Sequence, residues 1–160
     1  MLGIGFDIHR LVKGREFILG GVKIDYSKGL EGHSDADVLL HALIDALLGA
    51  AKLKPASDIG DLFPNTDPSY KGISSSVLLK RTLDFIRKHK SKFRVLEVDS
   101  IVFLEEPKLG KHKRAIADKI AHLLNLPAGR VNVKAKTMEH LGPIGHKKAV
   151  AAMVMVATKA

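Results

Sequence analysis

Asp7 and His9 stand two residues apart in the run Leu2 to His9, and residues two apart on an extended chain leave the same face. On that reading Phe6 and Ile8 point into the core. A carboxylate beside an imidazole is part of a metal-ligand set, and a third ligand is needed to close it. His41 offers one, because it sits in the apolar run Leu39-Leu40-His41-Ala42-Leu43-Ile44, where an ionisable ring needs a polar partner or a metal. Asp37 and Asp45 lie one helical turn to either side, so Asp37, His41 and Asp45 share a stripe. Asp45 or Asp37 is therefore placed to fix the ring tautomer. One carboxylate and two imidazoles match a catalytic zinc with one position left open to substrate.

Other groups suit a phosphorylated substrate. Free amides near Ser34, at the start of a predicted helix, make a phosphate cradle with His33 beside it. The turn-rich loop carrying Asp58, Ile59 and Gly60, then Phe63, Pro64, Asn65, Thr66, Asp67 and Pro68, supplies carboxylates for sugar or polyol hydroxyls. Glu105-Glu106-Pro107-Lys108 puts a lysine where a strand meets a helix. Asn132 to Glu139 ends another strand with a cation, a hydroxyl and a carboxylate, and one carboxylate such as Glu139 is enough to hold a phosphate-bridging cation.

The elements that position these groups follow from periodicity. Leu2 to His9 and Glu16 to Asp25 read as strands forming a hairpin or lying as neighbours, with a turn or bulge at Gly20-Gly21. Ser34 to Leu53 reads as a helix, N-capped by Ser34 with Asp37 completing a capping box, and its apolar circumference predicts burial. Residues 55 to 72 read as a loop. Ser74 to Lys90 and Lys111 to Leu124 read as amphipathic helices, while Val95 to Glu105, Val131 to Thr137 and Ala149 to Thr158 read as strands. The order predicts an α+β two-layer sandwich, a mixed β-sheet with helices on one face, in a single domain spanning residues 1 to 160. The last strand is apolar at nearly every position, which predicts burial of both its faces. Sheets packed together in a homo-oligomer, or cover within one subunit, would each satisfy that.

The 160 residues contain 46% apolar residues and no cysteine, so a core can form without disulfides and any metal must rest on histidine and carboxylate. That usage fits a reducing cytoplasm. The first ten residues lack the pattern of a secretory signal, and no window is apolar enough for a membrane span. A formal net charge of +9 favours anionic partners: nucleic acid, acidic membranes or phosphorylated metabolites. Without tryptophan, and with two tyrosines and six phenylalanines, the chain is poor in the stacking aromatics of a nucleic-acid-binding sheet. A non-catalytic metal-binding oligomer is the other alternative.

Taken in order, five segments resemble one family over essentially the whole chain: Gly5 to His9; Gly32 to Asp37; His41 to Ala50; Asp58 to Gly60 with Phe63 to Asp67; and Asn132 to Ala135. The family is that of the 2-C-methyl-D-erythritol 2,4-cyclodiphosphate synthases of the non-mevalonate isoprenoid pathway. The resemblance implies a lyase that cyclises 4-diphosphocytidyl-2-C-methyl-D-erythritol 2-phosphate with loss of CMP. It implies zinc on Asp7, His9 and His41, and magnesium or manganese on Glu139, one of each per active site. It implies His33 and Thr137 as catalytic groups. Substrate contacts follow from Asp7, Ile8, His9, His33 and Ser34 at the phosphate end, and from Asp58 to Gly60 and Phe63 to Asp67 at the methylerythritol. Leu104, Glu105, Glu106, Pro107, Lys108, Leu109, Gly110, Lys136, Thr137, Met138 and Glu139 form the nucleotide side, with Pro143 and His146 beyond it.

The resemblance also implies a cytoplasmic homotrimer with sheets packed at its centre and active sites between subunits. It implies no nucleic-acid or membrane partner. A central cavity can hold an isoprenoid diphosphate. Three departures stand out: Lys136 replaces a second threonine, Pro143 an aromatic, and His146, Lys147, Lys148 and Ala149 a common arginine followed by Gly-Glu-Gly. Three copies of that last segment would converge without an acidic counterweight.

Overall fold

Glycine at two alternate positions of the first strand decides which of its faces meets a helix. A Cβ on Gly3 would stand 1.9 Å from the Ala46 carbonyl oxygen, and one on Gly5 would stand 2.0 Å from that of Ala42. The computed structural model describes residues 1–54 and 56–159; Pro55 of the predicted loop and Ala160 lie outside them. The elements in chain order are β1 (Leu2–Lys13), β2 (Phe17–Leu19), β3 (Val22–Ile24), β4 (Lys28–Leu30), α1 (Val38–Ala51) and α2 (Ile59–Leu62). A 3₁₀ turn at Pro68–Tyr70 follows, then α3 (Ser75–His89), β5 (Arg94–Phe103), α4 (Lys113–Leu124), β6 (Val131–Lys136), α5 (Gly142–Gly145) and β7 (Ala149–Lys159).

Five strands form one mixed sheet in the order β4-β1-β7-β5-β6. Only β5 and β6 run parallel, and the other neighbours are antiparallel. The row Gly3, Val156, Val98, Val131 is paired across the sheet, and its three valines are buried. These residues therefore share the face covered by α1, which packs on β1 and β7, and by α4, which packs on β6. The α+β reading with a mixed sheet and helices on one face holds. The β2-β3 hairpin turns at Gly20 and Gly21, both at positive φ (59° and 75°), the backbone that a two-residue type I′ turn requires.

α1 is buried nearly all round, because it lies between the sheet and α3. It starts later than predicted. Ala36 takes a left-handed φ of 58°, which a helix cannot continue through, so Ser34 cannot be the cap; its hydroxyl accepts a bond from the Ala36 N–H instead. Asp37 is the cap. Its fully buried carboxylate accepts from the N–H groups of Leu39 and Leu40, and also of Gly20 and Gly21. One side chain thus closes the helix and ties the hairpin to it.

The expectation that Phe6 and Ile8 face the core is wrong for this fold. Only glycine fits against α1, so Leu2, Ile4, Phe6 and Ile8 take the opposite face, where Phe6 is 51% and Ile8 49% exposed. Nor does one subunit cover both faces of β7, so the alternative of cover within a single chain does not hold. Residues 149 to 152 are buried, but Met153 and Met155 are exposed beside the β1 strip. The strand β4, the short helices α2 and α5 and the 3₁₀ turn are additions too brief to carry a period of their own.

Candidate active site

The face that β1 turns towards α1 carries Gly3, Gly5, Asp7 and His9 in succession. The glycines bring the two backbones together, and the next two positions receive His41 from the first turn of α1. His41 Nδ1 lies 3.1 Å from Asp7 Oδ2, and His9 Nδ1 lies 3.0 Å from the same oxygen. His9 Nδ1 is nevertheless buried without a well-formed hydrogen bond. One ligand atom from each of the three residues falls within 4.8 Å of the others. Ligands of a tetrahedral zinc at 2.0–2.1 Å stand about 3.3 Å apart. A buried, unpartnered imidazole nitrogen turned into a carboxylate–imidazole cluster is what a metal ion would satisfy. The donor set fits one.

Electrostatics agree with that geometry. Burial would push the Asp7 carboxyl up, but the His41 and His9 rings beside it hold it well below the ordinary carboxylate range, ready to ligate as an anion. Burial raises Asp45, against the pull of the Ile59 N–H. Asp45 accepts that N–H at 2.8 Å, so it anchors α2, and Asp37 is spent on the hairpin. Neither is the acceptor behind His41. Ser34 Oγ and Ser75 Oγ stand there instead, at 3.1 and 3.0 Å from Nε2.

A cavity of about 220 Å³ opens at this cluster. Of the residues singled out in the sequence, Asp7, His9, His33, Ser34, His41, Ile59, Gly60, Phe63 and Asn65 line it. Gly32, the first residue of the Gly32 to Asp37 segment, lines it as well, and so do Tyr70, Ile73 and Leu78, which nothing in their local pattern marks. Ile8 does not, lying on the opposite sheet face. Asp58 caps α2 through the Asp61 N–H, and the Asp67 carboxylate caps the 3₁₀ turn through the Ser69 N–H, while its carbonyl lies 3.3 Å from His33 Nε2. Pro64 and Thr66 are likewise outside the cavity lining.

A second depression lies at the ends of β5 and β6, lined by Leu104, Pro107, Lys108, Leu109, Gly110, Lys136 and Thr137, with Lys113 and Ala135 added. Glu105 and Glu106 turn away from it. Buried Glu105 accepts the Met138 N–H at 3.2 Å and lies 3.7 Å from His140 Nδ1. Glu106 takes Lys147 Nζ at 2.7 Å and Tyr26 Oη at 3.4 Å. Lys147 therefore has an acidic counterweight, contrary to expectation. Thr137 donates to Glu139 Oε1, and Glu139 and His140 both take positive φ, a strained turn of the sort that clusters at functional sites. Met138 is partly exposed beside them. Pro143 and His146 are exposed on and after α5, with His146 Nδ1 donating to the Gly142 carbonyl at 2.7 Å.

One chain does not unite the two depressions. Ile8, Ala151, Phe103 and Lys136 form one cross-sheet row, so the metal-ligand strand and the Lys136 strand stand three spacings apart, about 14 Å.

An α+β fold with a carboxylate–imidazole metal site in one depression and lysines around another defines a metal-dependent enzyme for an anionic substrate. The likeness to known proteins makes that specific. The chain belongs to the YgbB family, whose model matches residues 1–159, and to its 2-C-methyl-D-erythritol 2,4-cyclodiphosphate synthases. It is 51% identical over 152 residues to that synthase from Desulfosudis oleivorans, covering 95% of this chain and 88% of the relative. Against the synthase of Bordetella pertussis it is 50% identical, with coverage of 97% and 93%. Among solved structures, a CDP-bound 2C-methyl-D-erythritol-2,4-cyclodiphosphate synthase superposes with a TM-score of 0.87 at 36% identity, over 99% of this chain and 100% of that one. The bifunctional IspDF of Campylobacter jejuni superposes at 0.91 with 44% identity; this chain, 99% covered, spans 42% of that longer one. Among the described residues no helix is long and apolar enough to cross a membrane.

Proposed function

We propose that this chain, acting as one domain over residues 1–160, converts 4-diphosphocytidyl-2-C-methyl-D-erythritol 2-phosphate to 2-C-methyl-D-erythritol 2,4-cyclodiphosphate and CMP, in cytoplasmic synthesis of isoprenoid precursors. The convergence of Asp7, His9 and His41, with His9 Nδ1 buried and unpartnered, carries the reading. In the reaction an oxygen of the 2-phosphate attacks the β-phosphorus, the new P–O bond closes the ring, and the bond to the CMP oxygen breaks. No side-chain nucleophile is needed. The protein's work is to fold the substrate back on itself, an advantage worth up to about 7–11 kcal/mol, and to meet the charge that gathers on the phosphate oxygens.

Zinc on Asp7, His9 and His41, with magnesium or manganese on Glu139, supplies Lewis-acid stabilisation of those oxygens. Around them His33 and Ser34 hold the phosphate end, and Ile59, Gly60, Phe63 and Asn65 the methylerythritol. Leu104, Pro107 to Gly110 and Lys136 hold the nucleotide. Thr137 orients the Glu139 carboxylate and, with His33, steadies the transition state.

The separation of the two depressions supports a homotrimer in which each active site joins the metal side of one subunit to the nucleotide side of the next. The apolar strip of Leu2, Ile4, Phe6, Met153 and Met155 is the surface that such packing would cover. Along its axis, with Lys147 held by Glu106, His146 and Lys148 are the basic side chains of that segment left to meet an isoprenoid diphosphate. Incubation with the proposed substrate, with and without chelator, tests the activity. CMP and the cyclic diphosphate should appear in equal amounts and stop on metal removal, and their absence from the metal-loaded protein would refute the proposal.

A further inference from the structure

Behind His41 stands a relay that neither metal nor substrate contacts explain. His41 Nδ1 faces Asp7, and on the far side Nε2 lies 3.0 Å from Ser75 Oγ. Ser75 is fully buried in the first turn of α3. Its hydroxyl donates to Asp35 Oδ1 and its N–H donates to Asp35 Oδ2 at 3.0 Å. Asp35 Oδ1 also accepts the Asp37 N–H at 3.2 Å.

A neutral imidazole has two tautomers, and here they differ in consequence. With the proton on Nδ1 the ring donates to Asp7, and its one lone pair, on Nε2, faces the serines and away from the ligand cluster. With the proton on Nε2 the Nδ1 lone pair is free. Ser34 Oγ, 3.1 Å from Nε2, accepts the Ala36 N–H but gives its own proton to no carboxylate, so it can serve either tautomer. Ser75 cannot. Its proton is committed to a carboxylate, a bond roughly twice as strong as a neutral one, and towards His41 it can only accept.

We infer that Ser75 and Asp35 are positioning residues that hold His41 with its proton on Nε2 and its Nδ1 lone pair aimed at the metal, through the chain His41 Nε2–H to Ser75 Oγ–H to Asp35. The relay also brings a second negative charge behind a site that Asp7 alone does not neutralise, which raises the basicity of the ring as a ligand. The inference rests on the metal reading given above.

Long-range ¹H–¹⁵N spectra of histidine-labelled protein, recorded without metal, read the tautomer directly, and chelator competition reads zinc affinity. Without metal Asp7 draws an Nδ1 proton across 3.1 Å, so the relay is read as a larger Nε2–H share in wild type than in Ser75→Ala. Ser75→Ala removes the hydroxyl but keeps the backbone bond to Asp35, and should shift the ring towards Nδ1–H and weaken zinc by about 10–100-fold while still melting cooperatively. Asp35→Asn should shift the tautomer in the same direction. An equal Nε2–H share in wild type and Ser75→Ala, or zinc affinity of Ser75→Ala within about twofold of wild type, far below a relay's effect, overturns the inference and leaves the metal reading standing. Wild type that takes up no zinc overturns both.

Discussion

Gly5 of β1 lies so close to Ala42 of α1 that a Cβ on the glycine would meet the Ala42 carbonyl oxygen at 2.0 Å. Asp7 follows on the strand and His41 precedes on the helix, so this approach sets the gap between two metal ligands. Gly5→Ala must push α1 outward, and overpacking of this kind costs about 1–3 kcal/mol. We expect a lower melting temperature together with weaker zinc uptake. Loss of stability with unchanged zinc affinity would uncouple the glycine from the site.

Each subunit should hold one zinc ion. His41→Ala should release it and lower CMP formation by at least about a hundredfold, the several kcal/mol that a Lewis acid contributes to a phosphoryl transition state. Metal analysis beside the assay checks this, and full activity in a verified zinc-free preparation contradicts it.

Glu139→Gln keeps the shape of the side chain that Thr137 touches but removes the charge that a magnesium or manganese ion requires. The variant should need roughly tenfold or more of the second cation for half-maximal activity, with zinc still bound. Loss of zinc would place Glu139 at the wrong ion.

Asp37 links stability to pH. Burial pushes its carboxyl up to about 6 from 3.8, against the pull of the Gly21, Gly20 and Leu40 N–H groups. The folded protein thus holds this proton more tightly than the unfolded chain does. The contribution is complete below the unfolded value and fades as pH rises through about 6, by at most about 3 kcal/mol. Asp37→Asn should flatten that slope, and it should cost about 1–3 kcal/mol overall because an amide cannot accept at both oxygen positions that Gly20 and Gly21 use. Urea unfolding at several pH values between about 4 and about 7 reads both effects; equal slopes in the two proteins refute the assignment.

Phe6 stands in the exposed strip, not in the core. Phe6→Asp should leave zinc uptake intact, since all three ligands belong to one chain, yet break the proposed trimer, because an unpaired buried carboxylate costs several kcal/mol. CMP formation should then fall by at least about a hundredfold. Light scattering with the assay distinguishes the outcomes, and an active trimer contradicts the shared site.

The metal cluster was legible before the fold was known. Asp7 and His9 are joined by the period of a strand, and His41 betrays itself as an ionisable ring in an apolar helix. Those are local facts of spacing and solvation. The partner behind the ring was not legible: Asp37 and Asp45 have the right helical spacing, but the role falls to Ser34 and Ser75, and Ser75 lies 34 positions from His41 on another helix. The same limit explains Glu105 and Glu106, whose place in a strand-end motif suggested ligand contact and whose partners, Met138 and Lys147, come from distant segments.

By itself the sequence determined the chemistry of the ligands, the periods of the main strands and helices, and a mixed sheet backed by helices, because each follows from neighbours a few residues apart. The tertiary structure decided which face of β1 meets α1, since only the fit of Gly3 and Gly5 against the helix backbone excludes Phe6 and Ile8 from that side. It also decided that the depression at Asp7, His9 and His41 and the one around Lys108 and Lys136 stand three strand spacings apart, a distance set by strand order, which local periodicity does not encode.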